Sequence, residues 1–164
     1  MERVVRIGKH FLFYLFQLTW GLPLTLIGLV GAIAMLITGH KPKKIGYFIQ
    51  FTAKKDNSGW GFEGIFYFVS KDCEFDKNIA THEMGHSSYQ QLWFGPLAVL
   101  IVTIPSVIRF WYRKFVVRFN EEKAKKLPPY DSIWFERTAT KYGEKFFDKM
   151  VTDGIVQEDI FCNQ

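Results

Sequence analysis

Cysteine is nearly missing from this chain. Cys73 and Cys162 are the whole supply, with no short metal-binding spacing and no framework of paired cysteines, so both are expected as free thiols. No nucleic-acid motif accompanies the basic residues, and the formal charge of +5 suits anionic headgroups instead, which sets nucleic acid aside as a partner. There is no internal repeat. The N-terminus also lacks the small-residue cleavage site and the short apolar core of a secretory signal.

Charge itself is absent from Phe11 to Thr38. That run exceeds the roughly 20 residues needed to cross a bilayer core and predicts an N-terminal transmembrane helix. A core buried in protein on every side is excluded by the size of the chain. At 48% hydrophobic and 18% aromatic, with 17 Phe, a chain this short has more apolar surface than a soluble domain can hide, so a lipid bilayer is an expected partner. Pro23 should kink the helix, or split the run into an interfacial piece and a span, while Gly28 and Gly31 leave one face small enough for close packing. The block Gly39 to Lys44 then stops the helix at a basic membrane edge. His40 there has no acid or second histidine at ligand spacing and reads as an interfacial residue.

Histidine is scarce, four in all, yet two of them fall in His82-Glu83-Met84-Gly85-His86. On a helix, residues four apart share a face, so both imidazoles can reach one metal ion while Glu83 lies beside them. This is the H-E-x-x-H arrangement of zinc hydrolases. Two neutral imidazoles hold Zn²⁺, and the free carboxylate takes a proton from the water that attacks a carbonyl. Such an ion needs a third protein ligand. Glu121, Glu122, Asp131, Glu136, Glu144 and Asp148 lie downstream, and Glu136 stands out because it follows Ile133-Trp134-Phe135, where an unpartnered carboxylate would be costly to bury.

Between these parts, Tyr47 to Thr52 and Ile65 to Val69 read as strands joined by the turn residues Asp56-Asn57-Ser58-Gly59, a β-hairpin that covers the catalytic helix or offers an edge to an extended peptide. Asp76 or Asn78 suits the cap of the histidine helix, and Gly85 allows a backbone or substrate to come close. The apolar stretch Leu92 to Ile108 is long enough to span, but crossing would put His82 and Glu136 on opposite sides. A re-entrant segment bent at Pro96 and Pro105 avoids this; a site sunk below the headgroups is the other way out. Asp131 or Ser132 can cap the last helix. Arg3, Arg6 and Lys9 precede the first span and Lys41, Lys43, Lys44, Lys54 and Lys55 follow it, which leans the active site toward the cytoplasm.

Taken together, His82-Glu83-Met84-Gly85-His86, Gln90-Gln91, Gly95-Pro96-Leu97, Pro105-Ser106 and Glu136 with Ala139 and Gly143, preceded by Leu22-Pro23 and Leu26-Ile27-Gly28, resemble a group of small bacterial membrane proteins. The Glu136-x-x-Ala139 element is similar to the glutamate helix of gluzincin metallopeptidases. The resemblance implies His82, His86 and Glu136 as zinc ligands and Glu83 as general base. Thr140 stands where those enzymes often carry an aspartate that orients a histidine. The expected organisation is a mainly α membrane protein: an anchor helix (residues 1–40); a metallopeptidase-like domain (41–150) with hairpin (45–70), HExxH helix (78–92), membrane-associated segment (92–112) and glutamate helix (131–150); and a mobile tail (151–164). The expected function is a membrane-bound zinc endopeptidase of the bacterial inner membrane, with Tyr112, Tyr130 or Tyr142 steadying the oxyanion. The rivals are a non-catalytic membrane adaptor with a structural or vestigial metal site, and a zinc hydrolase of lipid headgroups.

Overall fold

A computed structural model describes residues 2–55 and 61–161. The protein is mainly helical with a small four-stranded sheet, whose order is β1-β2-β4-β3.

The N-terminal apolar run is two helices rather than one. Helix α1 (Glu2–Leu18) ends at Thr19–Gly21, and α2 (Leu22–Ile37) leaves it at 90°. Pro23 sits in the first turn of α2, where a missing N–H costs nothing; a continuous helix would have lost a hydrogen bond there and driven the ring into a carbonyl. At 1.5 Å per residue α2 covers about 24 Å, short of a bilayer core. No single helix among the described residues is long and apolar enough to cross a membrane, which corrects the expected single transmembrane anchor helix; the run is split just before Pro23. Two bent pairs have the length and composition: Ile7–Leu18 with Leu22–Ile37, and Lys77–Leu97 with Val99–Phe119.

The sheet also differs from the expected single hairpin. Strands β1 (Pro42–Ile45) and β2 (Phe48–Thr52) form one tight hairpin, and β3 (Phe62–Glu63) with β4 (Phe66–Val69) forms another. Gly46 (φ 59°) and Gly64 (φ 64°) supply the left-handed turns. The two hairpins meet through their longer strands, which pair in parallel, Ile49 opposite Phe66 and Phe51 opposite Phe68. The turn residues Asp56 to Gly59 lie outside the described residues. Both faces of the sheet are covered: Phe51, Phe66 and Phe68 pack on Ala32 and Met35 of α2, while Ile45, Phe48, Tyr67 and Val69 join the core beneath the next helices. Burial on both sides explains why these strands are apolar without strict alternation.

Helix α3 (Lys77–Gly85) is capped by Asp76, whose carboxylate accepts from the backbone N–H groups of Asn78 and Ile79. It runs on through a π turn (His86–Gln90) into α4 (Gln91–Phe94). The chain then bends by 110°. The bend falls between Leu97 and Val99; just before it Gly95 (φ 51°) ends α4, and the Trp20 ring lies so close that a Cβ on Gly95 would meet it at 2.2 Å. Pro105 makes no second bend. A π turn (Val99–Thr103) leads directly into α5 (Ile104–Phe119), with Pro105 in its first turn.

After α6 (Glu121–Lys125), helix α7 (Trp134–Thr152) buries Phe135, Glu136, Ala139, Gly143, Phe147 and Met150 along one stripe. Its cap position is Ile133, so neither Asp131 nor Ser132 caps it. Within the described part of the C-terminal stretch, Val156 and Phe161 are buried, and Phe161 packs on Phe147 at 5.6 Å.

Candidate metal centre

Two glycines set the site by letting α3 and α7 cross in backbone contact. A Cβ on Gly85 would stand 1.9 Å from the Ala139 carbonyl oxygen, and one on Gly143 would stand 1.8 Å from that of Thr81. The approach expected at Gly85 is thus that of α7, and it carries Glu136 beneath the histidine pair. His82 and His86 face it from one side of α3. The distances are 3.1 Å from His82 Nε2 to Glu136 Oε2, 3.4 Å from His86 Nε2 to the same oxygen, and 3.1 Å between the two Nε2 atoms. Glu136 and His86 are almost fully buried.

The outer nitrogen of each ring is held. His86 Nδ1 lies 2.6 Å from Gln90 Oε1, and the Gln90 amide orientation is fixed because its Nε2 donates to the Phe135 carbonyl and to Thr138 Oγ1. Gln90 Oε1 can only accept, so His86 Nδ1 carries the proton. His82 Nδ1 lies 2.8 Å from Thr140 Oγ1, whose hydroxyl donates to the Glu136 carbonyl, so this Nδ1 is also a donor. Neutral histidines in these tautomers turn two bare Nε2 lone pairs toward a carboxylate oxygen. Three lone-pair donors this close repel unless a cation or proton lies among them. For Zn–N of about 2.0–2.1 Å, the edge of a coordination tetrahedron is about 3.3 Å, close to the 3.1, 3.1 and 3.4 Å found. His82, His86 and Glu136 are the residues that could hold a metal ion, and this donor set fits one.

Electrostatics follow the same geometry. With a proton rather than a cation among the Nε2 atoms, burial alone would raise the Glu136 carboxyl, but hydrogen bonds from His82 and His86, the His86 charge and the Ser106 hydroxyl outweigh it and hold the group well below the usual carboxylate range. Glu83 is pushed the other way, upward, by burial with a smaller push from Glu136, against the pull of both imidazoles. Ser106 Oγ donates to Glu136 Oε1 at 2.7 Å and lies 3.5 Å from the Tyr130 hydroxyl. Burial, then the Glu136 charge, lifts the Tyr130 phenol to about 12, so it keeps its proton at neutral pH.

A cavity of about 310 Å³ opens on the cluster, lined by His82, Glu83, His86, Ser106 and Tyr130 and walled by apolar groups of α2 and α5. A wider cleft between α3 and α5 continues from it past Asp131 and Thr140. Comparison with protein-family models, curated proteins and solved structures finds no match.

The chain therefore brings together His82, His86 and Glu136, with Glu83 beside them, and the segment from Leu92 to Ile108 is bent between Leu97 and Val99. Of the three tyrosines, Tyr130 stands at the cluster, Tyr142 is stacked on Tyr89 at 3.7 Å, and Tyr112 lies under Lys123 on α5. His40 turns back on the end of α2, with its Nδ1 at 2.9 Å from Thr38 Oγ1. Sequence reasoning missed the roles of Gln90 and Ser106. Gln90 was legible as the residue four beyond His86 on the same face; Ser106, thirty positions from Glu136, had no local signal.

Proposed function

We propose that this protein is a membrane-bound, zinc-dependent endopeptidase with His82, His86 and Glu136 as ligands and Glu83 as general base. One observation carries the reading: two Nε2 atoms and one carboxylate oxygen from separate helices converge at coordination spacing, with Glu83 facing the same cavity. Zinc held there supplies a Lewis acid that polarises a carbonyl and makes water nucleophilic near neutral pH. Glu83, free of the cluster, accepts the proton of the attacking water and returns it to the leaving amine nitrogen. Tyr130, protonated and beside the cluster, donates to the oxygen of the tetrahedral intermediate. Gln90 and Thr140 keep the imidazoles in the tautomer that binds metal.

The membrane part of the reading is supported by exposed apolar faces. Leu26, Val30, Ile33 and Ile37 on α2, and Ile104, Ile108, Trp111, Phe115 and Phe119 on α5, are all exposed. A monomer in water rarely shows so much apolar surface. The lysines after α2, Lys41, Lys43, Lys44, Lys54 and Lys55, favour a site on the cytoplasmic side of a bacterial inner membrane.

The test is Glu83→Gln in the full chain with a peptide library and zinc analysis. Zinc content should persist while cleavage falls by at least about 10²-fold. Cleavage unchanged by the substitution ends the hydrolase reading; zinc bound with no cleavage of any peptide by the unaltered chain favours the adaptor.

A further inference from the structure

Helix α5 is attached to the protein mainly by polar contacts. Of its residues only Val116 is buried, and its close backbone neighbours are chiefly the π turn before it and α6 after it. What ties it to the site is Ser106 on Glu136, together with two arginines. Arg109 Nη2 donates to the carbonyls of Pro129 and Tyr130, each at 2.9 Å, and Arg113 Nη1 donates to that of Pro128 at 2.6 Å. A helix ordinarily draws its stability from a packed apolar face, and α5 packs little of one inward.

Its apolar side chains stay exposed instead, Trp111, Phe115 and Phe119 along the open cleft toward α3 and Ile108 outside it. Ile108, Trp111, Phe115 and Phe119 are each more than 60% exposed. Cations line the same surface: Lys114 lies over the Phe110 and Trp111 rings, Arg118 over Phe119, and Lys123 over Tyr112. No acidic residue interrupts α5. Aromatic rings interleaved with basic groups match an anionic lipid surface, where rings enter the headgroup boundary and cations meet phosphates. A second copy fits worse, since a two-fold contact would set these cations against their own like.

We propose that an anionic lipid surface seats α5 through these exposed rings and cations, and that the seating keeps the metal centre complete, with Ser106 as the positioning residue of Glu136. The inference rests on the metal-centre reading above. Ser106 holds Oε1, which leaves Oε2 turned to the imidazoles; with α5 lifted, that constraint is gone and the carboxylate can rotate away. Lipid contact and metal affinity are then linked through one hydrogen bond.

Competition with a chromophoric chelator measures the link on the full chain, in vesicles of phosphatidylcholine and of phosphatidylcholine mixed with phosphatidylglycerol. Zinc should bind about tenfold or more tighter in the mixed vesicles, the scale of a lost outer contact to a ligand. Ser106→Ala should show the weaker affinity in both, Ser106→Thr should restore the difference, and Phe115→Glu with Phe119→Glu should abolish it. Equal affinity in the two vesicles, or a difference that survives Ser106→Ala, overturns this inference and leaves the metal centre standing. So does an affinity that follows protein concentration, which would mean a second copy covers the face. Absence of zinc from both preparations overturns both readings.

Discussion

Two imidazole rings set edge to face at 4.8 Å owe their usefulness to what stands behind them. Gln90 and Thr140 each accept a hydrogen bond from Nδ1–H, and without that bond either ring could flip its tautomer and turn an N–H toward the cluster. Thr140→Val and Gln90→Leu should each weaken zinc affinity about 10–100-fold with the fold retained, as read by chelator competition and circular dichroism. Thr140→Asp keeps an acceptor for His82 and should bind close to the unaltered chain. Full affinity in Thr140→Val would deny the threonine its role. The glycines act by size. Gly85→Ala and Gly143→Ala each place a Cβ where only a carbonyl oxygen fits, and should destabilise by about 3 kcal/mol or more in denaturant unfolding, with zinc affinity falling as α7 moves away. Normal stability in both variants would mean the crossing is not as tight as described.

Among the elements, α1 is joined to the end of α7 by an ion pair. Lys9 Nζ lies 2.6 Å from Asp153 Oδ2, and Lys149 reaches the other oxygen at 3.1 Å. Lys9, then Lys149, holds the Asp153 carboxyl below its ordinary value. A depressed folded-state pKa contributes stability above the unfolded value of about 3.9 and loses it as pH falls through the folded value. Asp153→Asn should therefore lower the thermal midpoint at neutral pH, and the gap should close below about pH 4. A gap of constant size across that range would rule the linkage out. Element by element, legibility followed locality. The Asp76 cap, the HEMGH face and the burial of Glu136 were readable because each depends on neighbours within a turn. The parallel pairing of β2 with β4 was not, since Pro42–Ile45 looked like a basic membrane edge and nothing local says which strands meet. The uncharged run from Phe11 to Thr38 carried composition enough for a span, but Pro23 and the turn before it decided the geometry.

At the level of the whole molecule, a sheet covered on both faces positions the crossing of α3 and α7, and the outer surfaces of α2 and α5 remain apolar. The chain should stay with the membrane fraction through high-salt and alkaline carbonate washes; release by salt alone would contradict the lipid contact drawn from these faces. Both bent pairs have apolar length without straightness, which composition could reveal and shape could not. The most direct measurement is zinc per chain, by mass spectrometry of the purified metal content, for the unaltered protein beside His82→Ala, His86→Ala and Glu136→Ala. The account predicts one zinc in the first and loss in all three variants, Glu136→Ala included, although that residue stands about fifty positions from the histidines. Zinc retained in full by Glu136→Ala, or absent from the unaltered protein, would contradict it.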